Sequence, residues 1–334
     1  MKKACFLAAL MLVASCGLAQ IAEPAKPRIT VWTDVKDAPA DFAIQGEYLH
    51  SAEKPTLGGQ VIALGNGSFR LVILGGGLPG VGWDAKTKIE LDGKTEADGV
   101  AFTSPAGWRA TLKAGVISLV DDIGQKFQLT PATRKSPTEG AAPPAGARVL
   151  FDGTTIEAWV NGQMDDRKLL NAGTRTKQSF TDFTLHVEFV TPFKPTGRGQ
   201  DRGNSGVYLQ DRYEIQILDS FGLKGLDNEC GGIYKVAAPK VNVCLPPLTW
   251  QTYDIDFTAD RSDPDGQKLS DAVVTVKHNG VLIHDKQPLK EPTGGGNREQ
   301  PDQQVQSGPI QLQGHGNPVF FRNIWIIERR SPAG

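Results

Sequence analysis

Apolar and polar residues alternate along most of the second half of the chain, which is typical of half-buried β-strands. The pattern recurs at 183–189, 251–257, 273–277, 281–285, 309–313 and 319–327. An Asn279-Gly280 pair separates two of these runs and is a strong hairpin signal, because both residues tolerate a positive φ. No helical periodicity exceeds about two turns. Residues 148–330 are therefore predicted to form an all-β sandwich or jelly roll.

The first half of the chain alternates short apolar runs with glycine-containing turns. The apolar runs lie at 59–65, 69–74, 88–91 and 116–120. The turns predicted between strands are Asn66-Gly67, Asp92-Gly93 and Asp98-Gly99. This pattern predicts a small β-rich module over 31–134, to which the sequence assigns no role. Segment 135–147 is rich in proline, alanine and glycine without periodicity, and it is predicted to be a linker.

The most informative polar pattern lies in 203–219, which is predicted to form two strands joined by a tight turn. Successive side chains of a strand point to opposite faces. In Tyr213-Glu214-Ile215-Gln216-Ile217 the carboxylate and the amide therefore share one face, opposite an apolar one. A carboxylate beside an amide on a rigid strand suits a hydroxyl-rich ligand. The solvated face of an ordinary strand gives the same spacing and is the alternative interpretation.

Further polar side chains fall on other predicted strands or on the turns beside them. If these strands form one curved sheet, their polar residues line one concave surface that can bind the paired hydroxyls of a sugar. The predicted substrate-binding residues are Glu188, Asn204, Tyr208, Gln210, Gln216, Gln311, Gln313 and Arg322. The predicted catalytic residues are Glu214, Asp219 and His315. His315 lies between two glycines, which leave its ring room to approach a ligand.

Charge and the N-terminal pattern indicate the partners and the location. The chain has 36 Lys and Arg against 37 Asp and Glu, so no overall field favours nucleic acid. Residues 1–19 are predicted to be an export signal, because two lysines precede an apolar run too short to span a bilayer. A bacterial lipoprotein signal, which would leave Cys16 as a lipid anchor, is the alternative. Either route predicts a periplasmic or extracellular protein without a transmembrane span.

The export signal also bears on the cysteines. If Cys5 and Cys16 leave with the signal, Cys230 and Cys244 are the pair that remains. An oxidising compartment then predicts a disulfide between them. Neither lies near other cysteines or histidines at zinc-type spacing. No cofactor is predicted, and a requirement for a divalent cation such as calcium stays open.

Motifs over about 148–328 resemble, in order, those of the 3-keto-disaccharide hydrolase domain family. The matching segments are 150–155, 203–208, 213–219, 230–234, 250–254, 308–316 and 321–325. The resemblance implies a concanavalin A-like jelly roll that acts on glycosides whose sugar carries a ketone at C3. The small carbohydrate substrate expected above would then be a 3-keto disaccharide or a 3-keto glucoside.

A C3 ketone makes elimination the expected reaction, because the carbonyl acidifies the C2 proton. One base can remove that proton and expel the group at C1, and water then adds back. Glu214 or His315 is the predicted base. The residues predicted to stabilise the enolate oxygen are Asn204, Gln216 and Arg322. Direct retaining hydrolysis by Glu214 and Asp219 is disfavoured, because Asp219 is predicted on the opposite face of its strand.

Two non-enzymatic interpretations stay open at this stage. A lectin-like protein of the same fold would bind sugar on the same surface without turnover. A structural module of the cell envelope would do neither.

Overall fold

The computed structural model describes residues 30–51, 56–297 and 307–329. Within these ranges the helical elements are α1 (Ala40–Ile44) and two 3-10 turns, Val35–Asp37 and Gly199–Asp201. None of the helices in the described ranges is long and apolar enough to cross a membrane. The predicted export signal, with Cys16, lies outside the described residues.

The first half forms a closed barrel in which each strand pairs with the next and the last pairs with the first. Its eight strands are β1 (Gly46–Leu49), β2 (Leu57–Gly65), β3 (Ser68–Gly75), β4 (Lys88–Glu96), β5 (Gly99–Thr103), β6 (Arg109–Lys113), β7 (Val116–Val120) and β8 (Lys126–Ala132). Apolar residues such as Val61, Leu71 and Ile117 belong to its buried core. Closure leaves no unpaired sheet edge, which is how small antiparallel barrels avoid pairing with other chains.

Two of the predicted turns in the barrel are confirmed and one is wrong. Asn66-Gly67 joins β2 to β3 with φ values of 56° and 65°, as a tight hairpin turn requires. The connection at Asp98-Gly99 joins β4 to β5. Asp92-Gly93 instead lies inside β4, because the glycine leaves room for the Phe102 ring of the neighbouring strand. A Cβ atom at position 93 would lie 2.5 Å from Phe102 Cε1.

The second half is a sandwich of two antiparallel sheets. The five-stranded sheet has the order β10 (Trp159–Val160), β12 (Thr174–Thr176), β21 (Gln311–Leu312), β14 (Ser205–Leu209) and β15 (Tyr213–Ile217). The seven-stranded sheet has the order β11 (Leu170–Asn171), β22 (Phe320–Arg329), β13 (Asp182–Val190), β16 (Gln251–Thr258), β19 (Ala272–His278) and β20 (Val281–Leu289), with β9 (Arg148–Phe151) paired to β22. A separate ribbon contains β17 (Arg261–Ser262) and β18 (Lys268–Ser270).

The predicted all-β jelly-roll sandwich is confirmed. Its hairpin at Asn279-Gly280 has φ values of 49° and 77°, again the positive values of a two-residue turn. Apolar residues of β13 and β15, such as Leu185 and Ile215, belong to one buried core. Since side chains alternate along each strand, the polar residues of these two strands point away from that core. They lie on opposite outer faces of the sandwich, so alternation marks two polar surfaces rather than one.

Segment 135–147, the predicted linker, lies against the outer face of the seven-stranded sheet. The backbone N–H of Gly140 donates to Glu188 Oε1 at 2.5 Å. The side-chain amide of Asn323 donates to the carbonyl of Ala141 at 3.0 Å. The backbone of the segment therefore both donates hydrogen bonds to the sheet and accepts them from it.

Arg202 connects the sandwich to the barrel. Its Nε donates to Asp219 Oδ2 at 2.7 Å, and its Nη2 donates to the carbonyl of Ala63, in β2, at 3.2 Å. The side chains of Arg202 and Asp219 are both more than nine-tenths buried. A buried ion pair of this kind is strongly destabilising to break from one side, because the remaining charge loses its partner.

Arg202→Met is therefore expected to lower the free energy of unfolding by about 3–5 kcal/mol, the usual effect of leaving a buried charge unpaired. Adding Asp219→Asn should recover part of this loss, because the charge left behind is removed. Urea denaturation measures both effects. Lys113→Met is the control, because it breaks an exposed ion pair with Asp98 and should cost less than about 1 kcal/mol. Equal losses of unfolding free energy in Arg202→Met and Lys113→Met would contradict the prediction.

Candidate active site

A polar cavity of about 170 Å³ opens on the outer face of the five-stranded sheet. The predicted site residues that line it are Asn204, Tyr208, Glu214, Gln216, Gln313 and His315. They come together because β21, β14 and β15 are neighbours in the sheet. The lining combines amides, a carboxyl group, phenols and an imidazole, which together can donate to and accept from the hydroxyls of a sugar.

The register of β14 and β15 explains how the carboxyl group is accommodated. Tyr208 lies opposite Glu214, and Gly206 lies opposite Gln216, so all four positions share the polar face. The Glu214 side chain folds over Gly206, where a Cβ atom would lie 2.9 Å from Glu214 Cγ. The glycine therefore provides the space that the carboxyl group occupies.

Glu214 is a buried carboxyl group, with only 2% of the residue exposed. Burial raises its pKa to about 7, although the hydrogen bond from Tyr208 partly opposes this shift. That bond runs from Tyr208 Oη to Glu214 Oε2 at 2.8 Å, and Gln313 Nε2 donates to the same hydroxyl at 3.2 Å. Burial also raises the pKa of Tyr208, so its hydroxyl keeps its proton near neutral pH. Glu214 can thus take up and return a proton near neutrality.

Amide groups surround this carboxyl group. The orientation of the Gln216 amide is assigned from its neighbours. Its nitrogen donates to the Ser205 carbonyl at 2.7 Å and to Glu214 Oε1 at 3.0 Å. The side-chain oxygens of Asn204 and Gln313 are buried, and neither has a hydrogen-bond partner among the described residues. Buried acceptors are costly when unsatisfied, so both are suited to accept from ligand hydroxyls.

His315 lies at the exposed mouth of the cavity, in the loop Gly314-His315-Gly316. Its position gives it access both to the cavity and to solvent. The described part of the chain contains no cluster of three or more His, Cys, Asp or Glu residues that could hold a metal ion.

Glu188 and Arg322, two of the predicted substrate-binding residues, lie on the other outer face of the sandwich. Arg322 Nε donates to Glu188 Oε2 at 2.7 Å, and the guanidinium stacks 3.9 Å from the centre of the Trp250 ring. Burial opposes ionisation of Glu188, yet hydrogen bonds, first from His186 and then from Asn323, Gly140 and Arg322, lower its pKa to about 2. The prediction that Glu188 and Arg322 share one concave site with Glu214 is therefore wrong, because their strands belong to the seven-stranded sheet.

Three other predicted residues also lie outside the cavity. Asp219 is paired with Arg202, so it does not face Glu214 across the cavity. Gln210 lies in the turn after β14 and donates to the carbonyl of Phe180 at 3.0 Å. Gln311 lines a neighbouring cleft on the same face of the sheet.

The predicted disulfide between Cys230 and Cys244 is wrong, because both residues are free, buried thiols. Cys230 Sγ lies 3.2 Å from the hydroxyl of Tyr253. Cys244 Sγ lies 3.7 Å from the carbonyl of Leu218. Each thiol therefore has a polar partner inside the apolar core of the sandwich, which the count of cysteines could not reveal.

Gln200, Tyr234 and Gly295 also line the cavity, and they were not among the predicted residues. The backbone carbonyl of Gln200 accepts from Asn204 Nδ2 at 3.0 Å, and Gln200 lies in the 3-10 turn just before Arg202. Tyr234 is the last residue of the 230–234 motif, so this motif could have indicated it as a site residue. Nothing local marks Gln200 or Gly295, because both reach the site from connecting segments outside the predicted strands.

The fold and the cavity define an all-β sandwich protein with a polar site suited to carbohydrate. Residues 146–327, over half of the chain, match the 3-keto-alpha-glucoside-1,2-lyase-like domain. The chain belongs to this family and is a glycosyl-hydrolase-like protein. The barrel precedes the matched region.

Three solved structures from Parabacteroides distasonis, each described as a "putative glycosyl hydrolase", are similar to this chain. One is 35% identical, covers 56% of this chain and 85% of its own, and has a TM-score of 0.49. Another is 21% identical, covers 55% of this chain and 99% of its own, and has a TM-score of 0.40. The third is 19% identical, covers 55% of this chain and 94% of its own, and has a TM-score of 0.39. None of the curated proteins compared with this chain matches it.

Proposed function

We propose that this protein cleaves glycosides of 3-keto sugars by elimination across C1 and C2, followed by hydration. Membership of the 3-keto-alpha-glucoside-1,2-lyase-like family supports the substrate class. The observation that carries the proposal is Glu214, a buried carboxyl group in a cavity of polar residues, with a pKa of about 7. A base with a pKa near the working pH is the group that removal of a C2 proton requires.

In the first step, ionised Glu214 removes the proton from C2. The electron pair of the C–H bond forms the C2–C3 double bond of an enolate, and the negative charge moves to the C3 oxygen. A hydrogen-bond donor must stabilise this oxygen. The side-chain amide of Gln200 and the hydroxyl of Tyr234 belong to residues that line the cavity, and we assign this role to them.

In the second step, the enolate collapses back to the ketone. Its electron pair forms the C1–C2 double bond and the bond from C1 to the leaving oxygen breaks. His315, at the mouth of the cavity, gives this oxygen a proton. Water then adds its oxygen to C1 and a proton to C2, which restores the saturated keto sugar. The net reaction consumes one water and needs no oxidant.

A lectin-like role on the same surface is the competing function. A binding protein gains nothing from a carboxyl group held near neutral pKa, since burial of such a group costs stability. The environment of Glu214 therefore favours an enzyme.

Product analysis tests the proposal directly. The purified protein should release free 3-keto sugar from a 3-keto disaccharide, as measured by chromatography of the reaction mixture. Saturable binding without release would instead support the lectin-like role, and neither binding nor release would contradict both.

A further inference from the structure

A second polar cleft, of about 350 Å³, opens on the same sheet as the cavity of Glu214. The residues of this cleft that carry the argument are Asn161, Arg175, Asp211 and Gln311. The reaction proposed above assigns it no role. Gln311 in this cleft and Gln313 in the cavity lie two positions apart on one face of the same short segment, so the two spaces are neighbours.

The strand register shows how the two spaces are arranged. Arg175 lies opposite Gln311, Gln311 lies opposite Tyr208, and Tyr208 lies opposite Glu214. Residues that are directly opposite share one face of a sheet, so these side chains form one row across four strands. Neighbouring strands are about 4.8 Å apart. The row therefore runs about 10 Å from Glu214 to Gln311, and about 14 Å to Arg175, at the backbone.

The chemistry of the cleft suits a hydroxyl-rich group. Arg175 Nη1 lies 3.6 Å from Asp211 Oδ2, and the side chain of Arg175 remains 56% exposed. Guanidinium donors, a carboxylate and amides are thus available together, and they match hydroxyls that both donate and accept. The described residues that line the cleft include no aromatic ring. A flat apolar leaving group would therefore find no stacking surface there.

We propose that this cleft is the leaving-group subsite and that it selects a second sugar at C1 of the keto sugar. The assignment rests on the function proposed above. Arg175 donates to hydroxyls of the leaving sugar, and Gln311 contacts a hydroxyl of that sugar on the side nearer to Glu214. The two residues determine specificity for a disaccharide over a simple glycoside, without taking part in proton transfer.

Arg175→Ala and Gln311→Ala test this subsite with two substrates that share the keto sugar. On a 3-keto disaccharide, each variant is expected to raise KM about fivefold to tenfold, the effect of losing one hydrogen bond to a polar ligand. On the methyl glycoside of the same keto sugar, kcat/KM should stay within about twofold of wild type, because a methyl group does not reach the cleft. Arg148→Ala is the matched control, since Arg148 is also 56% exposed but lies in β9 of the other sheet.

The outcomes separate the subsite from the function on which it rests. Equal losses on the two substrates would overturn the subsite, because the variants would then be disturbing the cavity itself. Unchanged KM on the disaccharide would also overturn it. If the wild-type protein turned over neither substrate, the proposed function would fail first, and the subsite assignment would fail with it.

Discussion

Glu214→Gln is expected to reduce kcat on a 3-keto disaccharide at least 100-fold, since a positioned general base contributes about 10²–10⁴ in rate. The amide keeps the shape of the side chain and can still accept from Tyr208, but it cannot remove a proton. Steady-state kinetics measure the loss, and circular dichroism checks that the fold is retained. Glu328→Gln is the control, because Glu328 is an exposed carboxylate of β22 on the other sheet. A Glu214→Gln variant with wild-type turnover would exclude Glu214 as the base.

Glu214→Gln should also change how the stability of the protein depends on pH. The pKa of Glu214 is raised from 4.5 to about 7 in the folded protein. Between about pH 4.5 and pH 7, the folded protein therefore holds a proton on Glu214 that the unfolded chain has lost. The contribution of this proton to the free energy of unfolding is complete below about pH 4.5 and is lost as pH rises through about 7. Relative to Glu214→Gln, the free energy of unfolding of the wild type should fall by about 2–3 kcal/mol between pH 5 and pH 8. Denaturation at the two pH values measures this difference.

Activity should follow the opposite trend from this stability. The reaction needs ionised Glu214, so the acidic limb of the kcat/KM profile of the wild type should rise with pH through a midpoint near the raised pKa. A flat kcat/KM profile between pH 5 and pH 8, together with the same difference in stability between the two proteins at both pH values, would show that Glu214 does not titrate in this range.

The unoxidised parent disaccharide is expected to be cleaved at least 1,000-fold more slowly than its 3-keto form, a difference of about 4 kcal/mol in activation free energy. Without the carbonyl, the C2 proton is far too weakly acidic for a carboxylate to remove. In heavy water, the keto sugar released should carry deuterium at C2, because the proton lost in elimination is replaced from solvent. Mass spectrometry and NMR of the product measure the label.

This labelling experiment distinguishes elimination from direct displacement at C1. Direct hydrolysis would cleave the parent disaccharide and leave C2 unlabelled. That route needs a second carboxyl group about 5 Å from the first in a retaining enzyme. Asp219, the residue predicted for that role, is held by Arg202 instead. Product without deuterium at C2, together with comparable cleavage of the parent disaccharide, would contradict the elimination mechanism. Before scoring the label, the keto product must be incubated alone in heavy water, because its C2 proton can also exchange without the enzyme.

Much of the fold and part of the site could be read from local patterns. Alternation along 213–217 correctly separates Glu214 and Gln216 from the apolar residues that enter the core. The Asn-Gly pairs correctly mark two hairpins, since positive φ is a property of the residues themselves. These features depend on a residue and its close neighbours in sequence, so they can be predicted without knowing which strands pair.

Only the tertiary structure decided which polar faces form one site. Glu188 alternates with apolar residues just as Glu214 does, yet its strand lies in the other sheet, and alternation carries no information about sheet membership. Alternation also places Glu214 on an open face, whereas Tyr234 and Gly295 from distant loops help to enclose it. Its raised pKa is a consequence of that enclosure. The sequence by itself determined the strands and the chemistry that each presents, while long-range pairing and loop packing determined which groups meet and in what dielectric environment.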